Sequence, residues 1–272
     1  MNKSNILPVS QSIFQSAKVL EELDNLQIFD ASVAIGTQMV PFDGDLSTAA
    51  DILRLMDRYE IRKAVCFHHA AIENHPNLGN KLLMEQLFGQ QRLLPQWVIL
   101  PDSTREFPDP EDLAALLKEN GVRSVRMAPR THNYPLTPWC CGTLLETLET
   151  RAVPVFITVA EIEWNDLAMV LNAFPELKIV LTDTGYRIGR KVYPLLDQFE
   201  NLFLEFSDYV IHWGLEDLCE RFGPERFVYG SGLGRWDPGT PLTVLALADI
   251  STEAKRLIAG KNLCRLLGLE EQ

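Results

Sequence analysis

The chain has 272 residues, a size at which an α/β barrel forms as one domain. Apolar residues make up 46% and charged residues 23%, the composition of a globular protein with a substantial core. A net charge of −12 disfavours nucleic acid, because phosphate binding needs clustered Lys and Arg, yet leaves room for an anionic small molecule in a locally basic pocket. No apolar run is long enough to cross a membrane. The opening "MNKSNILPVSQSIF" has neither the apolar core nor the cleavage site of a secretory signal. The five cysteines, Cys66, Cys140, Cys141, Cys219 and Cys264, are odd in number and lack zinc-finger spacing, so reduced thiols in a cytoplasmic protein are expected.

In chain order, residues 1–26 read as a helical extension, with Phe14, Val19, Leu20 and Leu23 at helical spacing. From residue 27 to 272 short β-rich runs alternate with longer amphipathic ones. The strand candidates are Ile28–Val33, Ala64–His68, Gln96–Leu100, Ser124–Met127, Val153–Val159, Lys178–Leu181, Leu202–Phe206 and Phe227–Tyr229. Helical patterns fill the intervals. "LSTAADILRLMDRYEI" places Ala50, Leu53 and Met56 on one face, "DPEDLAALLKENG" opens at a capping Asp and stops at Gly, and Ser251 with Glu253 marks the start of a closing helix. Eight strand–helix units of about 30 residues each predict a parallel sheet closed into a single-domain (β/α)8 TIM barrel, with an open doubly wound sheet as the alternative. No GxGxxG follows the first strand and no P-loop is present, so no nucleotide cofactor is expected.

A barrel of this kind places its active site at the carboxyl ends of the strands. Those ends supply Asp30, Ser32 and Ala34; His68 and His69; Asp102; Arg126, Arg130 and His132; Thr158 and Glu161; Asp183, Tyr186 and Arg187; Glu205, Ser207 and Asp208; and Ser231, Arg235 and Asp237. Basic groups beside carboxylates shift each other's pKa values and suit acid–base work. Strand alternation lets only one of His68 and His69 face the axis; His69, just past the strand, reaches the mouth, and His68 packs against a helix. A guanidinium at Arg126 needs an anionic partner, either a substrate carboxylate or phosphate, or Glu205 or Asp183 across the barrel.

The course from residue 27 to 269 resembles the amidohydrolase-related (amidohydrolase 2) family of metal-dependent TIM-barrel hydrolases. "IFDASVAIG" is similar to the opening strand, usually D-x-H-x-H. "ENGVRSVRM" resembles the fourth strand, "RAVPVFITV" the fifth, "PELKIVLTDTG" the sixth, "GPERFVYGSGLGRWDPG" the eighth and "ISTEAKRLIAGKNLCRLLGL" the closing helix. The resemblance implies a hydrolase with metal ligands at Ser32, Ala34, Thr158, Asp183 and Gly232, of which only Asp183 has ligand chemistry.

The leading expectation is therefore a hydrolase or lyase acting on a small anionic metabolite without the usual metal. Asp183, His69 and Glu205 are its acid–base candidates; Arg126, His132, Tyr186, Arg187, Asp30 and Ser32 are its substrate-binding candidates. A second reading keeps a divalent metal, Mg²⁺ or Mn²⁺, at an altered site of Asp30, His69, Asp183 and Glu205. A third is a ligand-binding protein that has lost catalysis. The expected partner is a small-molecule substrate. Such barrels also commonly form homo-oligomers, for which the N-terminal extension offers a surface.

Overall fold

The computed structural model describes residues 26–40 and 46–270. The expected helical extension, apart from Leu26, lies outside the described residues. Eight strands follow in order: β1 (Phe29–Ile35), β2 (Lys63–His68), β3 (Leu93–Val98), β4 (Ser124–Met127), β5 (Val155–Thr158), β6 (Ile179–Thr182), β7 (Leu202–Glu205) and β8 (Phe227–Val228). Each pairs in parallel with the next, and helices fill the connections. The ring is joined by backbone bonds from Ala31 N to Tyr229 O (2.9 Å) and from Ala34 N to Leu233 O (2.9 Å). The architecture is the expected (β/α)8 barrel, not an open sheet.

The pleat sorts the side chains into two shells. Cys66, Val125, Ile157, Leu181 and Leu204 face the helices and join the main core. Val65, Leu94, Phe156, Val180 and Phe203 face the barrel axis, where they meet Phe29, Ala31, Val228 and the leucines Leu263, Leu266 and Leu267 of the closing segment. Two residues further along the same strands come Phe67, Gln96, Thr158, Thr182 and Glu205, joined by Arg126. The interior is thus an apolar floor under a mostly polar layer, and the strands' carboxyl ends carry the polar one.

The closing segment runs through a helix (Thr252–Arg256), a π-turn (Leu257–Lys261) and a second helix (Asn262–Leu266). Ser251 Oγ accepts from Ala254 N (3.1 Å), the cap expected from the sequence. Asn262 Nδ2 donates to the carbonyls of Pro224 (2.7 Å) and Phe227 (2.8 Å), tying this segment to the approach to β8. No helix among the described residues is long and apolar enough to cross a membrane.

Three local expectations shift. β3 begins at Leu93 rather than Gln96: Leu93 and Leu94 pair with Ala64 and Val65, and the ladder continues through Pro95, a residue that reads as a break. The helix Ala49–Arg58 buries Ala49, Ile52 and Met56, while Ala50 is exposed. The two triads share Met56, and Leu53 is partly buried against the same core, so the buried face is wider than expected and centred nearer Ile52. Past β2 the chain turns at once into a short helix, His69–Glu73, started by His68 Nδ1 accepting from Ala70 N (3.1 Å).

Candidate active site

Arg126 rises from β4 into the polar layer and is 2% exposed. Its Nε donates to Gln96 Oε1 (2.9 Å) and its Nη1 to Thr182 Oγ1 (3.1 Å) and Thr158 Oγ1 (3.3 Å). The guanidinium lies over the Phe67 ring, 4.3 Å from its centroid. Neither Glu205 nor Asp183 pairs with it directly among the described contacts; its hydrogen-bond partners are all neutral, and Nη2 is buried without one. Burial first, and then the neighbouring Arg235 charge, lowers its pKa to about 10.

Two strands along, Asp183 follows the last residue of β6 in a left-handed conformation (φ 51°), a strained backbone state for a residue with a Cβ. Its carboxylate is ion-paired with Arg235 Nη1, and both side chains are largely buried. Arg235 Nη2 donates to Ser32 Oγ on β1 (3.0 Å). One guanidinium therefore spans the ends of β1 and β6, while its Nε and Asp183 Oδ1 remain without partners. The loop after β8 delivers Arg235 through Gly234, at φ 93°, where a Cβ would stand 2.2 Å from Ala34 O. Gly234→Ala is expected to cost on the order of 1–3 kcal/mol and to lower the melting temperature by several degrees, measured by thermal unfolding.

Two further carboxyls lie buried in this region. Glu205 accepts from Ser207 N and from Ser207 Oγ (3.0 Å), and burial followed by repulsion from Asp183 pushes its pKa up to about 8. Asp30 accepts from Ser32 N (3.0 Å) and Ser231 N (2.9 Å), bridging β1 to the segment after β8; burial raises it to about 6.

A cavity of about 200 Å³ opens at the mouth, lined among others by Phe67, His69, Arg126, Thr158, Glu161 and Arg235. A larger hollow, about 280 Å³, lies around Gln27, Arg62, Lys63 and Arg256, near the amino ends of β1 and β2 and away from the end where barrel chemistry occurs. His69 is thus the histidine that reaches the mouth. His68 packs under Gly36, and burial lowers its pKa.

Of the acid–base and substrate-binding candidates only His69 and Arg126 line the mouth cavity; Asp183, Glu205, Asp30 and Ser32 lie buried or largely buried beside it, and the others fall further away. His132 Nε2 meets Ile72 O (3.0 Å) and lines an adjoining hollow with His75 and Tyr134, and Tyr186 is exposed with Arg187 stacked on its ring. Conversely, Arg235, Gln96, Thr182 and Phe67 belong to the site although the sequence assigned them no role. Only their positions two residues beyond core residues, or in the strand-eight loop, marked them. Among the described residues no three His, Cys, Asp or Glu side chains gather to hold a metal ion, so the altered set Asp30, His69, Asp183 and Glu205 is not brought together as one.

No curated protein sequence matches the chain. Solved structures match its fold. 5-Carboxyvanillate decarboxylase LigW from Sphingomonas paucimobilis superposes with TM-score 0.67 at 12% identity, covering 90% of this chain and 100% of that one. 2,6-Dihydroxybenzoate decarboxylase from Rhizobium gives 0.69 at 13%, covering 89% and 99%. A dihydroxybenzoic acid decarboxylase from Polaromonas sp. JS666, with bound manganese and 2-nitroresorcinol, gives 0.67 at 17%, covering 91% and 98%. The family model described as amidohydrolase matches residues 46–269, from the first helix of the barrel to its closing segment, and the chain belongs to the amidohydrolase family.

Proposed function

We propose that the barrel mouth binds one small carboxylate and acts on it by acid–base hydrolase or lyase chemistry, without the metal centre of its family. The observation that carries this reading is Arg126: a fully buried guanidinium, partnered only by neutral groups, with a donor left over beside a cavity. A buried unpaired N–H is costly unless a ligand supplies an acceptor, and a carboxylate supplies two. The charges agree. Arg235 is taken by Asp183, and Glu205, with its pKa pushed up to about 8, is mostly neutral at pH 7, which leaves Arg126 as the buried cation whose donors meet no carboxylate. The same fold carries decarboxylases of aromatic acids, which supports an acid as the substrate class.

The residues present do not fit a catalytic metal ion, which takes about three ligands from His, Asp, Glu or Cys. Ala34 and Gly232 offer no donor, Ser32 and Thr158 are hydroxyls already bonded to Arg235 and Arg126, and Asp183 is ion-paired. The chain's own groups then divide the work. Arg126 anchors the carboxylate. His69, lining the cavity, gives or takes the proton at the reacting atom. Asp183 holds Arg235, which lines the cavity, and Glu205 accepts from Asp183 N (3.5 Å).

The test is a panel of hydroxybenzoates, aliphatic acids, lactones and carboxylate esters, scored by thermal shift, calorimetry and mass spectrometry of products. Carboxylates are expected to bind and to be converted, with loss of CO₂ marking a lyase and addition of water a hydrolase. Arg126→Met is expected to weaken binding by about 100-fold or more. Neutral esters binding as well as their acids would sink the anionic assignment, and tight binding without turnover would establish a ligand-binding protein instead.

A further inference from the structure

We propose that Arg235 is the resident cation of this mouth, a guanidinium built into the chain between Asp183 and Ser32, two of the positions at which the family resemblance implies metal ligands. Three observations carry it. Nη1 pairs with Asp183, the sole residue at the family's ligand positions that retains a metal-binding side chain. Nη2 bonds Ser32 Oγ, so the same group reaches a second of those positions on the opposite side of the ring. The guanidinium carbon lies 5.7 Å from the centroid of Phe67, the ring that Arg126 also covers. A divalent ion on Asp183 would sit against this positive charge in a largely buried site, where like charges repel strongly. The loop geometry serves the same end. Gly234, whose conformation and contact with Ala34 leave no room for a Cβ, sets the residue after it at the mouth.

The consequence is a site whose fixed charge needs no metal supply and withstands chelators. A planar guanidinium also differs from an ion in what it offers a ligand: directional N–H donors rather than open coordination positions. Arg235 Nε, buried and without a partner, is such a donor. Arg235 thus acts as a positioning residue for Asp183 and as a polar contact for the carboxylate's neighbouring substituent.

This inference rests on the reading of the mouth as a carboxylate site, yet its test needs no substrate. The purified full chain is dialysed, analysed for Mn, Zn, Fe and Mg, and melted with and without about 1 mM MnCl₂ or ZnCl₂. The expected result is less than about 0.1 metal per chain and no metal-dependent rise in melting temperature. Arg235→Ala is expected to lower the melting temperature by about 5–10 °C. About 10 mM guanidinium or methylguanidinium chloride restores part of that loss, and sodium chloride at equal ionic strength does not. If Arg235→Ala yields no folded protein, Arg235→Lys serves, with an intermediate melting temperature and no metal. Stoichiometric metal in the native chain, a metal-dependent rise in its melting temperature, or an Arg235→Ala variant that melts like the native chain would each overturn the proposal. Failure of every carboxylate to bind would overturn the substrate reading and leave the metal result standing.

Discussion

The melting temperature is expected to fall as pH rises from 6.5 to 8.5, and Glu205→Gln is expected to remove most of that fall. The carboxyl is fully buried, and its pKa rises from 4.5 to about 8 on folding through burial and the Asp183 charge. Between those values the folded chain holds a proton that the unfolded chain has released. Stability therefore drops with increasing pH, by up to about 1.4 kcal/mol per unit, until the folded group ionises. For a chain of this size the roughly 2 kcal/mol lost across the window amounts to about 4–8 °C. The window isolates Glu205. Asp30, raised to about 6, acts in the same sense at lower pH. His68 and His132, lowered by burial, act in the opposite sense below their ordinary range. The raised thiols of Cys66, Cys141 and Cys219 act above it. Glutamine copies the neutral acid: its oxygen can accept from Ser207 N, and its amide can donate to Ser207 Oγ. A melting curve that stays flat with pH in the unsubstituted protein would show Glu205 to be ionised and paired.

Arg126→Met is expected to leave stability nearly unchanged while weakening carboxylate binding by about 100-fold or more. The guanidinium's pKa is lowered from 12.5 to about 10 even with Asp183 and Glu205 attracting it, so its charged form is disfavoured in the fold by on the order of 3 kcal/mol. Methionine gives that back with a stem of similar length. Against it stand the lost contact with Phe67, about 1–2 kcal/mol, and the lost bond to Gln96 Oε1. The threonines keep each other, Thr158 Oγ1 to Thr182 Oγ1 at 3.2 Å. Leaving Gln96 Oε1 without its donor costs about 1–2 kcal/mol more, so the opposing terms nearly cancel and the melting temperature is expected to move by no more than about 3 °C. Binding lost with little change in stability marks a functional group. A loss of several degrees instead would mark Arg126 as structural.

The alternation of strand and helix made the barrel legible, as did the positions of Arg126, Asp183 and Glu205 at strand ends. The strands themselves, "SVRM", "VFIT", "IVLT" and "LFLE", are four residues each, too short for a period of two to separate floor from mouth. Hence Thr182 went unread, while Gln96, taken as the first residue of its strand, sits near the carboxyl end of a β3 that begins at Leu93. His132, Tyr186 and Arg187 lie a few residues past their strands, and loop direction, which no local pattern encodes, carried them away. Arg235 follows "GSGLG", where glycines erase periodicity, and its partners on β1 and β6 are 203 and 52 residues distant in sequence.

That separation bears on how the molecule comes into being. The bonds Ser231 N to Asp30 and Arg235 to Ser32 link residues 201 and 203 positions apart, whereas every other strand pairing joins neighbours in the chain. Contacts of such long range carry the greatest loop-closure cost and form only after the intervening units are in place. The Arg235 bridge is therefore expected to be completed late in folding, when the last strand meets the first. A barrel open at that seam keeps the Arg126 anchor but lacks the link between Asp183 and Ser32, and recovery of full ligand binding during refolding is expected to report the closing of the ring.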